Sequence, residues 1–200
     1  TATRLLQELP CDRYFNKTCS VFRGNIGAEF DSMQDVLGVS CSMVIAGFPG
    51  NGRTTVDGVH YDMEPGWKIP VPYGSIHPMD ISFLPDIMKQ ADRQENQTDN
   101  REDLDKGLEH VIGKKEELKK QCAYILFDIR HQEDLKLVAR AVADEINLCG
   151  SSAIGEELPA AIREMCEDGQ DPVFLIAGTL PGRALPRQST CGEKDIGDNR

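Results

Sequence analysis

The sequence predicts an α/β fold, a mainly parallel sheet flanked by helices. Two observations carry this. Three apolar runs of strand length, Cys41 to Phe48, Cys122 to Asp128 and Val173 to Ala177, are spread along the chain. Unbroken runs of this kind mark strands covered on both faces. Between them lie segments whose apolar residues repeat at helical spacing. Strand, helix, strand in alternation is the grammar of a parallel sheet.

The elements are justified in chain order. Tyr14 to Cys19 reads as a short strand that runs into the turn Arg23-Gly24-Asn25-Ile26-Gly27. Ile26, Phe30, Met33 and Leu37 then recur as a helical stripe, with Asn25 as N-cap and Gly38 as the stop. The strand Cys41 to Phe48 is broken by Pro49-Gly50-Asn51-Gly52. Gly58 to Pro78 is rich in Gly and Pro and has no sustained period, a long loop with room for a hairpin. Ser82 to Gln90 reads as a short helix. Gln94 to Gln121 is the most charged stretch, with Leu104, Leu108, Val111, Ile112 and Leu118 marking a helix interrupted at Gly113. Glu102–Lys106 and Glu116–Lys120 stand four apart in the favourable order, as on a solvated helix covering a sheet. After the strand Cys122 to Asp128, the residues Leu135, Val138, Ala139, Val142, Ala143 and Ile146 predict an amphipathic helix. Gly150-Ser151-Ser152 opens another helical segment, containing Pro159. Asp171-Pro172 leads into Val173 to Ala177, ending at Gly178, and Thr190 to Arg200 reads as a frayed tail.

Composition narrows the function classes. The chain has 200 residues, 40% of them hydrophobic, enough for a sizeable core in one domain or two small ones. Its 33 acids against 22 bases give a net charge of −11, the wrong sign for a nucleic-acid partner. No apolar run approaches the ~18 residues of a membrane span, and Thr1 to Pro10 lack the charged and apolar regions of a signal peptide. The seven cysteines show no C-x-x-C spacing and the four histidines are scattered. The expectation is a cytoplasmic protein with reduced thiols, no membrane partner and no metal site.

Three segments have the chemistry of a site. In Lys17-Thr18-Cys19-Ser20-Val21-Phe22-Arg23-Gly24-Asn25-Ile26-Gly27, a strand end, a glycine turn and a helix start leave backbone N–H groups unpaired. The helix dipole there favours an anion, and Arg23 can grip a carboxylate or phosphate through two parallel hydrogen bonds. In Gly47-Phe48-Pro49-Gly50-Asn51-Gly52-Arg53-Thr54-Thr55 a glycine loop follows a strand, one residue away from the P-loop pattern. The residues after Thr55 have no helical period and meet Gly58 at once, so no helix N-terminus would face a phosphate. A loop presenting Asn51, Arg53 and Thr54 to a polar ligand, with the Arg23 and Arg53 side chains largely exposed, fits better. The third set is Asp128, Gly150-Ser151-Ser152 and Gly178-Thr179 at strand ends, where ligands of open α/β sheets sit and where turn and cap chemistry is also ordinary.

The motifs K-T-C-S-x-F-R-G-N-I-G-A-E-F-D (17 to 31), G-F-P-G-N-G-R-T-T-V-D-G (47 to 58), His77-Pro78-Met79 and C-G-S-S-A-I-G-E-E-L-P (149 to 159) occur in this order. Together they resemble the four-carbon acid sugar kinase family over roughly residues 13 to 190. The resemblance implies the sugar-binding domain of a two-domain kinase. An N-terminal domain would bind a tetronate or 3-oxo-tetronate and a C-terminal domain ATP, with Mg²⁺, the γ-phosphate passing between them. On the matching motifs, Lys17, Ser20, Arg23, Gly24, Asn25, Asn51, Gly52, Arg53 and Thr54 are the implied substrate-binding residues, and Gly178 and Thr179 the implied nucleotide-side pair.

Departures from the family pattern shape the expectation. The family's opening Asp-Asp-x-Thr-Gly-Ala segment and its C-terminal glycine-rich motifs are not present in these 200 residues. Arg93 to Asp99 is too polar for the apolar strand that family members carry there. The expected organisation is a sugar-acid-binding domain over 1–170, incomplete at its N-terminus, with 171–200 as the start of the ATP-binding domain or a frayed tail. The catalytic residues are unknown, and ATP and Mg²⁺ are expected in the full-length enzyme but not bound by this chain, which is expected to be inactive alone. The alternative is a non-catalytic, degenerate remnant that binds a sugar acid or a protein partner.

Overall fold

The computed structural model describes residues 2–11, 13–19, 22, 24–61, 81–88, 96–99, 101–166 and 174–178, with 96–99, 101 and 174–178 described by backbone only. The strands are β1 (Arg13–Lys17), β2 (Ser42–Ile45), β3 (Thr54–Val56), β4 (Val59–Tyr61), β5 (Asn96–Asp99), β6 (Tyr124–Phe127), β7 (Asn147–Gly150) and β8 (Phe174–Gly178). Six of them form one sheet in the order β5-β6-β2-β7-β1-β8. Every pairing in it is parallel. The predicted sheet is therefore present, and the three expected apolar strands all belong to it. Val173 itself lies outside the described residues, as do His77, Pro78, Met79 and the tail from Thr190 to Arg200.

The helices are α1 (Ala2–Leu6), α2 (Ile26–Leu37), α3 (Leu84–Met88), α4 (Arg101–Leu104), α5 (Leu108–Leu118), α6 (Gln132–Ala141) and α7 (Ser152–Met165). Two layers cover the sheet. On one face Phe22, Ile26 and Phe30, with Leu84, Ile87 and Met88 of α3, pack on Val44, Ala46, Tyr124, Leu126 and Cys149. On the other, α5, α6 and α7 place Val111, Leu135, Val138, Ile154 and Ile162 on Phe15, Met43, Ile45, Ile125 and Phe127. Each such side chain removed from water contributes about 1.5–3 kcal/mol, the dominant favourable term of the fold.

The prediction for α2 holds at both ends. Its stripe of Ile26, Phe30 and Met33 is buried, and Gly38, left-handed at φ 69°, donates its N–H to Gln34 O and stops the helix. A buried polar network fixes this helix on the sheet. Gln34 Nε2 donates to Ser42 Oγ (2.9 Å) and to Ala123 O (2.7 Å), and Asn147 Nδ2 donates to the same hydroxyl (2.7 Å).

Four expectations need correction. Asn96–Asp99 does form a strand, paired with Tyr124 to Phe127. It lies at the sheet edge, where pairing on one side supplies the backbone hydrogen bonds and a polar sequence is tolerated. The charged helix breaks between Leu104 and Leu108, at Gly107 with φ 90°, and α5 runs through Gly113. Lys106 pairs with Asp103 and Lys119 with Glu116, three residues back, where the sequence spacing points to pairs four apart. The helix expected to reach Ile146 ends at Ala141, so Ile146 stays 47% exposed and the next four residues become β7.

Candidate functional site

Strand register defines one edge of the molecule. Lys17 is level with Gly150 and Gly178, and Ile45 with Gly150, so β1, β2, β7 and β8 end together. Ligands of open parallel sheets sit outside this edge because loops and helix N-termini converge there.

The first loop turns sharply after β1. Phe22 N donates to Cys19 O (2.8 Å), and Phe22 is itself buried at φ 53°. Gly24, at φ 115°, then feeds α2. Asn25 occupies the N-cap position as expected, but its side chain makes no capping bond. The Asn25 side chain thus leaves the first N–H groups of α2 to other partners, and the positive end of its dipole lies at this edge. Lys17 is half-buried, and Gly24 and Asn25 are exposed. Ser20 and Arg23 lie outside the described residues. Thr18, passed over between two residues of the motif, is fully buried, and its Oγ1 has no hydrogen-bond partner among the described residues. The signal that could have found it is a hydroxyl one residue beyond a buried strand.

The second loop closes on itself. Phe48 O accepts N–H groups from Asn51 (2.9 Å) and Arg53 (3.0 Å), Gly52 N donates to Pro49 O (2.8 Å), and Phe48 N donates to Arg53 O (2.7 Å). Gly52 takes the left-handed conformation this requires, at φ 68°. Asn51 is exposed at the tip, whereas Gly52, Arg53 and Thr54 are half-buried. Arg53 is thus less exposed than expected, because its backbone is pinned between Phe48 and the start of β3. Beyond Arg53 the chain enters the antiparallel hairpin of β3 and β4, not a helix. P-loop geometry is absent, in agreement with the sequence.

β7 connects the two loops. Thr18 N donates to Gly150 O (2.7 Å) on one side. On the other, Ser151 N donates to Ile45 O (2.9 Å) and Ser151 Oγ to Gly47 O (2.9 Å). With neighbouring strands about 4.8 Å apart, β1 and β2 flank β7 at roughly 10 Å from each other. The approach demands glycine: a Cβ on Gly150 would collide with the Ile45 carbonyl, and one on Gly47 with the Ile129 side chain. Gly178 ends β8 opposite Lys17, and Thr179 lies outside the described residues.

Charged groups beyond β6 are engaged with each other or with backbone. The fully buried Asp128 accepts the Asp57 N–H at Oδ2 (2.6 Å) and the Gly58 N–H at Oδ1 (3.1 Å). Arg130 reaches Asp134 through Nε and Nη2 (2.9 Å each) and Asp105 through Nη2 (2.7 Å). Burial would push the Asp134 carboxyl up, but the Arg130 hydrogen bonds outweigh it and hold the group below its usual range. Among the described residues one group of three carboxylates is close enough to hold a metal, Glu116, Asp144 and Glu145. It surrounds the Lys115 ammonium at the opposite edge of the sheet. Among the described residues no such group of three lies at the strand-end edge. No helix among the described residues is long and apolar enough to cross a membrane.

Comparison with known proteins gives this edge a context. Residues 1–158 match the model of the sugar-binding N-terminal domain family. The 3-oxo-tetronate kinase of Salmonella typhimurium is 24% identical over 198 residues, covering 94% of this chain and 46% of that enzyme. That of Haemophilus influenzae is 29% identical over 174 residues, covering 80% and 40%. A D-erythronate kinase of Heliobacterium modesticaldum is 55% identical over a 40-residue stretch, 20% of this chain and 9% of that one. The crystal structure of a Haemophilus influenzae protein of the DUF1537 family superposes with a TM-score of 0.70 at 29% identity, covering 85% of this chain and 42% of that one. The chain spans under half the length of the 3-oxo-tetronate kinases it matches. With five of the six sheet strands and both loops covered by that match, the chain belongs to the sugar-binding N-terminal domain family.

Proposed function

We propose that this chain is the substrate-binding part of an ATP-dependent kinase acting on four-carbon sugar acids, tetronates or 3-oxo-tetronates. The observation that supports it most is the coincidence of the sugar-binding family match with the strand-end edge, where Lys17 and the Asn51 to Thr54 loop flank β7. In this reading the carboxylate of the sugar acid lies at the N-terminus of α2, held by Lys17, Ser20, Arg23, Gly24 and Asn25. Asn51, Gly52, Arg53 and Thr54 hold its hydroxyls from the other side of β7. Such an arrangement selects by charge and by hydrogen bonds to several hydroxyls, because a hydrogen-bonding site left unpaired by the wrong ligand is costly. Phosphoryl transfer depends on positioning and charge neutralisation. Within the proposal, this chain orients the acceptor, and the donor ATP belongs to a second domain.

The domain assignment is part of the same proposal: 1–170 for the sugar acid, with Gly178 and Thr179 leading toward the nucleotide side. So is a cytoplasmic setting. Calorimetric titration of D-erythronate and a panel of other four-carbon acids into the 200-residue chain tests the reading. Stereoselective binding without phosphorylation in the presence of ATP and Mg²⁺ is the expected result. Absence of binding across the panel would reject it, and robust tetronate-dependent ADP release by the chain alone would reject the assignment of the donor site to a second domain.

A further inference from the structure

We propose that Asp128 is a positioning residue whose carboxylate fixes the β3–β4 hairpin and thereby presents Asn51, Gly52, Arg53 and Thr54 at the strand-end edge. The group is fully buried one residue beyond β6, and both of its oxygens accept backbone N–H groups of the hairpin turn, from Asp57 at 2.6 Å and Gly58 at 3.1 Å. Both residues are left-handed, at φ 50° and φ 74°, and Asp-Gly is a favoured pair for such a two-residue turn between paired strands. A carboxylate accepting both neighbouring N–H groups ties this turn to the end of β6, and a charged acceptor makes each bond stronger than a neutral one.

From the turn the constraint passes directly to the candidate loop. β3 begins at Thr54, next to Arg53, and it is anchored to the residue after Asp128 by Thr55 N to Ile129 O (2.7 Å) and Ile129 N to Thr55 O (2.9 Å). Inside the hairpin, Thr55 Oγ1 and His60 Nδ1 lie 3.1 Å apart, both residues buried. Arg53 in turn closes the 48–53 loop against Phe48. Asp128 and Ile129 thus hold the hairpin at two points, and the side-chain point governs the turn. Through these two bonds the part of Asp128 in ligand binding is exerted by way of the hairpin.

Amide hydrogen exchange on the 200-residue chain, wild type against Asp128→Asn and Asp128→Ala, tests the assignment. In Asp128→Ala the amides of Arg53 to Gly58 should exchange about ten- to a hundred-fold faster, the equivalent of losing a charged hydrogen bond. Those of Met43 to Ile45 and Ile125 to Phe127 should keep their protection. Asp128→Asn, which retains one acceptor oxygen, should fall between, and it decides the matter alone if the alanine variant does not fold. Affinity for D-erythronate should fall in the same order, an arm that rests on the sugar-acid reading. Unchanged exchange at Asp57 and Gly58 would overturn the proposal, as would a loosened hairpin with wild-type affinity. If the wild type binds no four-carbon acid, the sugar-acid reading falls and the exchange data alone decide whether Asp128 fixes the hairpin.

Discussion

The two edges of the sheet are built from opposite materials. Where the strands begin, side-chain charge does the closing. Lys115, 1% exposed, meets Asp144 (2.7 Å), Glu145 (2.8 Å) and Glu116 (3.3 Å), and Lys119 shares Glu145 (2.8 Å). Burial alone would lower the Lys115 pKa, but Asp144 and Glu145 outweigh it and raise it. Where the strands end, the joints are mainly backbone: Thr18 to Gly150, Ser151 to Ile45 and Gly47, Asp128 to the amides of Asp57 and Gly58. A closed ionic lock offers nothing to a ligand. Loops tied down through their backbone hold their geometry while leaving side chains such as exposed Asn51 and half-buried Lys17 for a ligand, which is why the candidate site belongs to this edge.

The comparison can be broken first at the ionic edge. Replacing Asp144 and Glu145 together by Asn and Gln strands a buried ammonium and should cost about 3–5 kcal/mol in urea unfolding. Lys115→Met, which removes the charge and keeps the bulk, should cost clearly less. Neither change should alter sugar-acid affinity of the folded protein, and an altered affinity would show that the edges are coupled. At the other edge, Gly150→Ala forces the β2 and β7 backbones apart at the Ile45 carbonyl and should cost about 1–3 kcal/mol or more by the same measurement. It should also weaken binding, because both loops hang from β7.

Smaller changes sharpen the contrast. Arg53→Ala should weaken sugar-acid binding about ten- to a hundred-fold, the scale of a charged hydrogen bond, with the protein still folded. Equal calorimetric affinities in variant and wild type would remove Arg53 from the site. Ser151→Ala deletes one hydrogen bond between the loops and should lower stability by about 0.5–1.5 kcal/mol. The edges should also differ in their response to pH. Asp134, beside the strand ends, has a folded pKa below its ordinary 3.8. Its contribution is present above that value and lost as pH falls through the lower folded pKa. Lys115 and Lys119 are raised above 10.5, so their contribution is full below that pH and lost as pH rises through the folded values. Thermal melts of Asp134→Asn should flatten the acid limb only, and those of Lys115→Met the alkaline limb only.

Much of the scaffold was legible because its signals are local. The stripe from Ile26 to Leu37, Asn25 before it and Gly38 after it describe a helix without reference to anything else in the chain. The strand around Val44 announces itself by being apolar on both faces. Other elements carried misleading local signals. Asn96–Asp99 is too polar to read as a strand, and pairing at an edge makes it one. Asn147–Gly150 is short, and Ile146 in front of it extends the helical repeat, so the strand hid in the tail of a helix. Lys115 sat in the most charged stretch of the chain, which reads as solvated, yet it is buried because its three carboxylates include two from beyond α6.

By itself the sequence determined the fold class and the helix between the first two strands with both of its ends. Periodicity, caps and turn residues are short-range physics, recorded within a dozen residues. The tertiary structure alone decided the strand order, which sets β7 between β1 and β2 and brings loops at residues 18 and 47 to the same four-residue strand. It also decided that Asp128, 70 residues away from Gly58 in sequence, is a clamp on the hairpin. Those outcomes depend on which groups meet across the sheet. A carboxylate carries no mark of its partner until the chain has folded around it.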